Sequence, residues 1–399
     1  MSEAPWLTII GLGEDGPEGL CAASRSALEA AEIIIGPARH LSLIAPNSAQ
    51  RITWPVPFAE GIEQVLTLRG RRVVVLTSGD PFWFGAGTLL ARALQPGEWR
   101  AFPGRSTFSL AAARMGWPLE TTGCFGLHAA PLSRLRPQLA PKVRLIVLLR
   151  DGGAVAQLAS YLVEQGFARS VMTVLEALAG PRERMTKMRA DAVPDMVFAH
   201  PVCVALEVAG DGAVLTRSSG RDDDWFETDG QITKLPVRAL TLSALAPRPF
   251  EHLWDIGGGS GSIGIEWLLS DPSLSATVIE PRADRVGRIT ANAARLGVDR
   301  LKVVQGKAPT ALEELSPPDV VFIGGGLSAG MLDWLTARLP AGTRIVANAV
   351  TLESEALLVQ THARLGGALM RVEIASVAPI GPKRGWKSAY PITQWSGTL

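Results

Sequence analysis

The apolar positions of this chain fall in short unbroken runs that end at glycine, proline or an acid, and these runs alternate with stretches of helical period. Leu7-Thr-Ile-Ile10 runs into Gly11-Leu-Gly-Glu-Asp-Gly16, and good helix formers follow from Leu20 to Ala31. Residues 33–35, 72–77, 145–149, 171–175 and 202–208 read as further strands. Helices are expected over 58–68, 86–94 and 154–165, and over a segment that ends at Met115 and takes Ser106 or Thr107 as its cap. From 211 to 230 the chain turns polar around Ser218-Ser-Gly-Arg-Asp-Asp-Asp224, which reads as an exposed linker between domains at 1–212 and 213–399. A helix with proline in its first turn opens at Lys234-Leu-Pro. Strands at about 276–280, 301–304, 320–323 and 343–347 then alternate with helices at 283–296, 309–315, 328–338 and 352–364, the pattern of a doubly wound α/β sheet. Two last strand-like runs, 369–378 and 389–394, flank Gly381-Pro-Lys-Arg-Gly-Trp-Lys387 and predict an antiparallel hairpin at a sheet edge.

Composition narrows the class. A chain of 399 residues is too long for one ordinary core, and 47% hydrophobic against 19% charged residues describes a soluble globular protein. A net charge of +1 supplies no broad basic field, so a nucleic-acid partner is not expected. Cys21, Cys124 and Cys203 are far apart and read as buried apolar residues, and the five dispersed histidines form no metal spacing, so no metal is expected. The start Met-Ser-Glu-Ala-Pro-Trp has no leader pattern, and no apolar stretch is long enough to span a bilayer. A cytoplasmic enzyme without membrane contact is the expectation.

The chemistry concentrates at Leu253-Trp-Asp-Ile-Gly-Gly-Gly-Ser-Gly261, an apolar strand entering a glycine loop and then a helix. Gly257, Gly259 and Gly261 remove Cβ atoms where backbone N–H groups at a helix start can meet a ligand. The spacing departs from the dinucleotide fingerprint, since Ser262 stands where that pattern needs its third small residue. Asp255, two residues before the loop, would repel a pyrophosphate and suits a cation such as the sulfonium and ammonium of S-adenosylmethionine. Glu280 ends the next strand, placed to accept from two ribose hydroxyls. In the first half, Gly79-Asp80-Pro81 forms a sharp turn after a strand, and Pro103-Gly-Arg-Ser106 with Thr107 repeats the arrangement. Trp83 and Phe84 beside that turn can face a ligand or the core. No nucleophile elbow occurs, and His252 beside Glu251 reads as a strand-entry residue.

The 253–280 region, together with Gly306-Lys-Ala-Pro309, Val320-Val-Phe-Ile-Gly-Gly325 and Ala347-Asn-Ala-Val-Thr351, resembles class I methyltransferases, more narrowly the precorrin methyltransferase and decarboxylase group. The run Ile9–Gly16, the Ser78-Gly-Asp-Pro81 loop and Pro103–Ser106 resemble the tetrapyrrole (class III) methylases. One departure is Glu14, where many tetrapyrrole methylases have proline. Both in one chain, in this order, resemble the precorrin-6Y methyltransferase (decarboxylating) family of cobalamin biosynthesis. The resemblance implies a tetrapyrrole-methylase-like α/β domain followed by a Rossmann-like class I sheet, with one S-adenosyl-L-methionine site in each. It implies methylation of precorrin-6Y at carbons 5 and 15 with loss of the ring C acetate as carbon dioxide, giving precorrin-8X, and a homo-oligomer. Carbon 5 would fall to the N-terminal domain, and carbon 15 with the decarboxylation to the C-terminal one. Positioning would dominate methyl transfer, and the conjugated macrocycle can act as the electron sink for decarboxylation. Arg105, Lys234, Arg238, Lys383, Arg384 and Lys387 are the candidate partners of the substrate carboxylates, with Arg238 and Arg384 preferred. A methyltransferase acting on another substrate such as RNA, or a non-catalytic S-adenosylmethionine-binding module, are the alternatives.

Overall fold

The computed structural model describes residues 5–399; the first four residues of the leader reading lie outside the described residues. The described chain forms two compact units, one running to residue 132 with 138–213 and the other of 133–137 with 214–399.

The first unit holds two sheets. Strands β1 (Leu7–Leu12), β2 (Ile33–Gly36), β3 (Gln50–Thr53), β4 (Val73–Ser78) and β5 (Trp99–Phe102) pair in the order β3-β2-β4-β1-β5, all parallel. Helices α1 (Ala22–Glu29), α2 (Ala38–Leu43), α3 (Phe58–Leu66) and α4 (Gly87–Ala93) make the crossovers that parallel pairing requires. β1 and β4 are buried along nearly their whole length, which is why their sequences are apolar without alternation. Helix α5 (Thr107–Met115) leads to β6 (Gly123–Gly126), β7 (Arg144–Leu149), helix α6 (Gly153–Glu164), β8 (Val171–Glu176), β9 (Arg184–Arg189) and β10 (Val202–Glu207). This second sheet runs β6-β7-β10-β8-β9 and is mixed: only β6 and β7 are parallel.

The second unit is built on an α/β sheet of seven strands. Helix α7 (Leu235–Leu245) precedes β11 (His252–Ile256), α8 (Ser262–Ser270), β12 (Ser275–Glu280), α9 (Ala283–Arg295), β13 (Lys302–Gln305), β14 (Val320–Ile323), α10 (Ala329–Arg338), β15 (Arg344–Ala349) and α11 (Leu352–Leu365). The segment read as a helix at 309–315 is a short 3-10 turn at Thr310–Leu312. After α11 come β16 (Ala368–Val372), β17 (Ala375–Ile380), β18 (Lys383–Ser388) and β19 (Ile392–Thr398). Their sheet order is β13-β12-β11-β14-β15-β19-β16, with β19 antiparallel to both neighbours. The expected terminal hairpin is therefore two-tiered. Its outer part, β17 with β18, forms a separate antiparallel ribbon, because the run read as one strand breaks after Val372.

The exposed-linker reading of 211–230 holds for most of its residues but not for its anchors. Leu215 and Phe226 are buried in the same apolar cluster as Leu253, Trp267 and Phe322. The acids and glycines hid this because two apolar side chains suffice to fix the segment when an ion-pair network holds the rest.

Candidate functional site

In the second unit the chain leaves β11 to build β12 and β13 on one side, then returns to build β14 and β15 on the other. The carboxyl ends of β11 and β14 thus flank the switch point where open α/β sheets bind ligands. The two loops meet closely there: a Cβ on Gly257 would lie 2.6 Å from the Gly325 nitrogen, and Gly257 has φ +79°. A cleft of about 830 Å³ opens above them, lined by residues 255–260, Glu280 and Gly324–Gly326 among others.

Both acids expected from the sequence border this cleft. Glu280 is buried, its Oε2 accepting from the Gly259 N–H at 2.9 Å and its Oε1 from the Arg282 N–H at 3.0 Å. These bonds orient the carboxylate at the edge of the glycine loop. Asp255 is only 1% exposed and accepts at Oδ2 from the Gly264 N–H, 3.0 Å away, inside the first turns of α8. Burial pushes its carboxyl up to about 7; the Gly264 N–H opposes that and the nearby Glu280 charge adds to it. Gly261 is corrected from a ligand-facing to a packing residue. It is buried, does not line the cleft, and a Cβ there would come 2.8 Å from Ile289 Cγ2.

The basic candidates separate. Arg238 was a preferred carboxylate partner, and this is corrected: it is 0% exposed, with Nε 2.6 Å from Glu266 Oε1 and Nη1 3.0 Å from Asp223. Two further donors reach the Thr233 and Arg221 carbonyls, and the buried side chain does not line the cleft. Lys234 does line the cleft, 3.3 Å from Asp223. Lys383, Arg384 and Lys387 are exposed on the β17–β18 ribbon, and none of them lines the cleft. Sequence reading missed Arg285, Lys307 and Asn348 on the cleft wall. Asn348 is oriented by Gln394 at 2.9 Å and Thr241 at 2.8 Å, a network no local pattern announces. His252 bonds Ser275 and Thr277 at the opposite ends of the strands, as a strand-entry residue would.

The first unit carries its own cleft, of about 480 Å³, between its two sheets. Three loops from the adjacent strands β4, β1 and β5 interlock beneath it, with the Gly79 N–H on the Leu12 carbonyl and the Gly104 N–H on the Gly79 carbonyl. A Cβ on Gly11 would sit 1.7 Å from the Gly79 oxygen, so only glycine permits this approach. Gly79, Asp80, Arg105, Ser106 and Thr107 line the cleft. Ser106 caps α5 by accepting from the Ser109 N–H, and Asp80 accepts from the Phe82 N–H. Pro81 is corrected: it is buried beneath the turn, outside the cleft lining, and its carbonyl accepts from Gly87. Trp83 and Phe84 line the cleft while packing on Phe108, with ring centroids 4.7 and 5.9 Å apart. Cys21, expected to be buried, is exposed at the start of α1.

Known proteins resemble the chain over its whole length. It is 49% identical over 400 residues to the precorrin-6Y C(5,15)-methyltransferase (decarboxylating) of Sinorhizobium sp, covering 99% of this chain and 97% of that protein. The chain belongs to the precorrin-6Y C(5,15)-methyltransferase (decarboxylating) family. A member from Mycobacterium tuberculosis (strain CDC 1551 / Oshkosh) is 39% identical over 399 residues, covering 98% of this chain and 99% of its own. Residues 6–194 match the family model described as Tetrapyrrole (Corrin/Porphyrin) Methylases, and 224–399 match that of the Precorrin methyltransferase domain. A shorter relative from Salmonella typhimurium, named cobalt-precorrin-6B C(15)-methyltransferase (decarboxylating), is 31% identical over 166 residues, 40% of this chain and 85% of its own.

In such a fused methyltransferase Glu280 is open to a direct test. Glu280→Ala should weaken S-adenosylhomocysteine binding by about 1–3 kcal/mol, the cost of leaving buried hydroxyls and the Gly259 N–H without an acceptor. Calorimetry on the full chain measures it, and wild-type affinity would remove Glu280 from the site.

Proposed function

We propose that this protein methylates precorrin-6Y at carbons 5 and 15 and decarboxylates its acetate chain, using one S-adenosylmethionine pocket in each unit. The observation that supports this reading is the pair of separate clefts at the carboxyl ends of strands, each built on a glycine loop in its own unit. The N-terminal cleft serves carbon 5. The C-terminal cleft serves carbon 15 and the loss of carbon dioxide, a reading supported by the match of residues 224–399 to the Precorrin methyltransferase domain. A nucleic-acid substrate or a purely binding role lacks comparable support, because the full-length relatives are named for precorrin-6Y.

The residues fit the cofactor. In the C-terminal cleft Glu280 stands ready for ribose hydroxyls, and the positive-φ glycines Gly257 and Gly259 bring backbone close to the bound molecule. Asp255 lies beneath them as a partner for positive charge. In the N-terminal cleft Gly79, Asp80, Ser106 and Thr107 take the equivalent role. S-adenosylmethionine supplies an electrophilic methyl group. What the chain adds is a fixed line of approach for the ring carbon and exclusion of water from the acetate. Arg105 at one cleft and Lys234 at the other are placed to hold substrate carboxylates. We read the assembly as a homo-oligomer acting in the cytoplasm; no described helix is long and apolar enough to cross a membrane.

Calorimetric titration of the full chain with S-adenosylhomocysteine should give two sites. Incubation with precorrin-6Y and S-adenosylmethionine should add two methyl groups and release one carbon dioxide. A single binding site would assign one unit a binding role only, and no methyl gain would overturn the reading.

A further inference from the structure

We propose that Arg39, held in place by Glu14, His40 and Ser78, is a carboxylate-binding residue of the N-terminal cleft. The inference rests on reading that cleft as the carbon-5 site. Glu14 and Ser78 fall in the two loops that resemble the tetrapyrrole methylases, whereas Arg39 and His40 stand in no such motif, and the four come from three separated elements: the loop after β1, helix α2 and the end of β4.

The arrangement immobilises one guanidinium. Nη1 of Arg39 pairs with the carboxylate of Glu14, which is buried. Nη2 lies 2.8 Å from His40 Nε2 and 3.1 Å from Ser78 Oγ. His40 is 1% exposed, and burial, with the Arg39 charge added, lowers its pKa to about 3. It is therefore a neutral imidazole whose Nε2 accepts from Arg39. A guanidinium has five N–H groups, and these partners take three. Arg39 lines the cleft together with Glu14, His40 and Ser78, and its Nε–H and second Nη1 N–H are not used by these partners.

Charge points the same way. The Glu14 carboxylate also meets Arg182, 3.1 Å away, so one buried anion faces two cations. With His40 neutral the cluster carries one positive charge more than it can balance. Burial and the Arg182 charge lower the pKa of Arg39, meaning its cationic form lacks a full complement of stabilising partners. An arriving carboxylate would supply the missing anion and a bidentate acceptor for a guanidinium whose rotamer is already fixed. Arg105, the residue expected from sequence, lines the same cleft as a second cation, with one Nη2 donor on Asp15. Two carboxylates can reach this cleft, a side chain of the tetrapyrrole and the amino-acid end of the cofactor.

The test uses the full chain with Arg39→Met and Arg39→Lys, following carbon-5 and carbon-15 methylation separately on precorrin-6Y. Arg39→Met should raise KM for carbon-5 methylation about ten- to hundredfold, the loss of one charge-assisted pair, with little change in kcat. Arg39→Lys should fall between, since a point charge cannot bridge Glu14, His40 and a ligand together. Carbon-15 methylation and decarboxylation, performed by the other unit, should stay at wild-type level, and the retained carbon-5 kcat reports that the N-terminal unit itself folds. A loss of S-adenosylhomocysteine affinity at the N-terminal site with an unchanged tetrapyrrole KM would identify the cofactor as the source of the carboxylate. Wild-type values of both would overturn the proposal. If the unaltered protein fails to methylate precorrin-6Y, the functional reading fails instead, and the S-adenosylhomocysteine arm still decides whether Arg39 binds a carboxylate.

Discussion

Glu266→Ala is expected to cost the C-terminal unit about 3–5 kcal/mol, the penalty for breaking a buried ion pair from one side. Glu266 and Arg238 are both 0% exposed and Arg221 is 4% exposed. The Glu266 carboxylate accepts from Arg238 Nε at 2.6 Å, from Arg221 Nη1 at 3.3 Å, and from the backbone N–H groups of Gly220 and Arg221 at 2.8 and 2.9 Å. Removing it leaves two guanidinium groups and two N–H groups without their acceptor and without water. In a calorimetric scan of the full chain the transition of the second unit should move down by roughly 6–20 °C, at about 2–4 °C per kcal/mol for a unit of this size. Glu266→Leu combined with Arg238→Met should recover part of the loss, because it removes the fully buried cation along with the anion, fills the space with apolar groups and leaves Arg221 as the one uncompensated charge of the triad. An unshifted transition in Glu266→Ala would mean that solvent reaches these charges. The network also fixes the segment through Thr233, whose residues 231–233 form part of the cleft wall, so cofactor affinity should fall with stability.

This triad explains where sequence reading stopped. Asp255 and Glu280 were legible because each ends an apolar strand next to a glycine-rich turn, and local order alone places such residues at a sheet's carboxyl edge. Arg238 looked identical to a ligand-binding arginine, because the partner that claims it, Glu266, is 28 residues away on another helix. The buried strands β1, β4, β10 and β14 announced themselves as unbroken apolar runs. Edge strands did not: β9, Arg-Met-Thr-Lys-Met-Arg, pairs on one side only and is mostly exposed, so its sequence carries no burial signal. β3, at the other sheet's edge, is silent for the same reason. The Arg39 cluster escaped because three elements converge to make it, and such convergence has no period or spacing.

Asp255→Asn should raise the stability of the C-terminal unit at pH 8 while leaving it nearly unchanged near pH 4. The buried carboxyl keeps its proton to about pH 7, against an ordinary value of 3.8. Between those values the folded state holds a proton that the unfolded state has lost, so stability falls as pH rises through the window and levels off above it. The full penalty approaches about 4 kcal/mol, at 1.36 kcal/mol per unit over roughly three units, and water in the adjoining cleft reduces it to about 2–4 kcal/mol. Asparagine is neutral throughout and its Oδ1 can still accept from the Gly264 N–H, so the variant should lose this slope without losing the helix contact. Denaturant midpoints of the second unit, measured on the full chain from pH 4 to 8, give the comparison. Equal slopes for the two proteins would show that Asp255 ionises in the fold without penalty. The same substitution should weaken S-adenosylmethionine binding, since the carboxylate that the fold resists in the free protein is the charge a cationic ligand rewards. A protein that keeps an ionisable acid where asparagine would be more stable is holding it for the ligand, and opposite signs for stability and affinity in this one variant are what that argument requires.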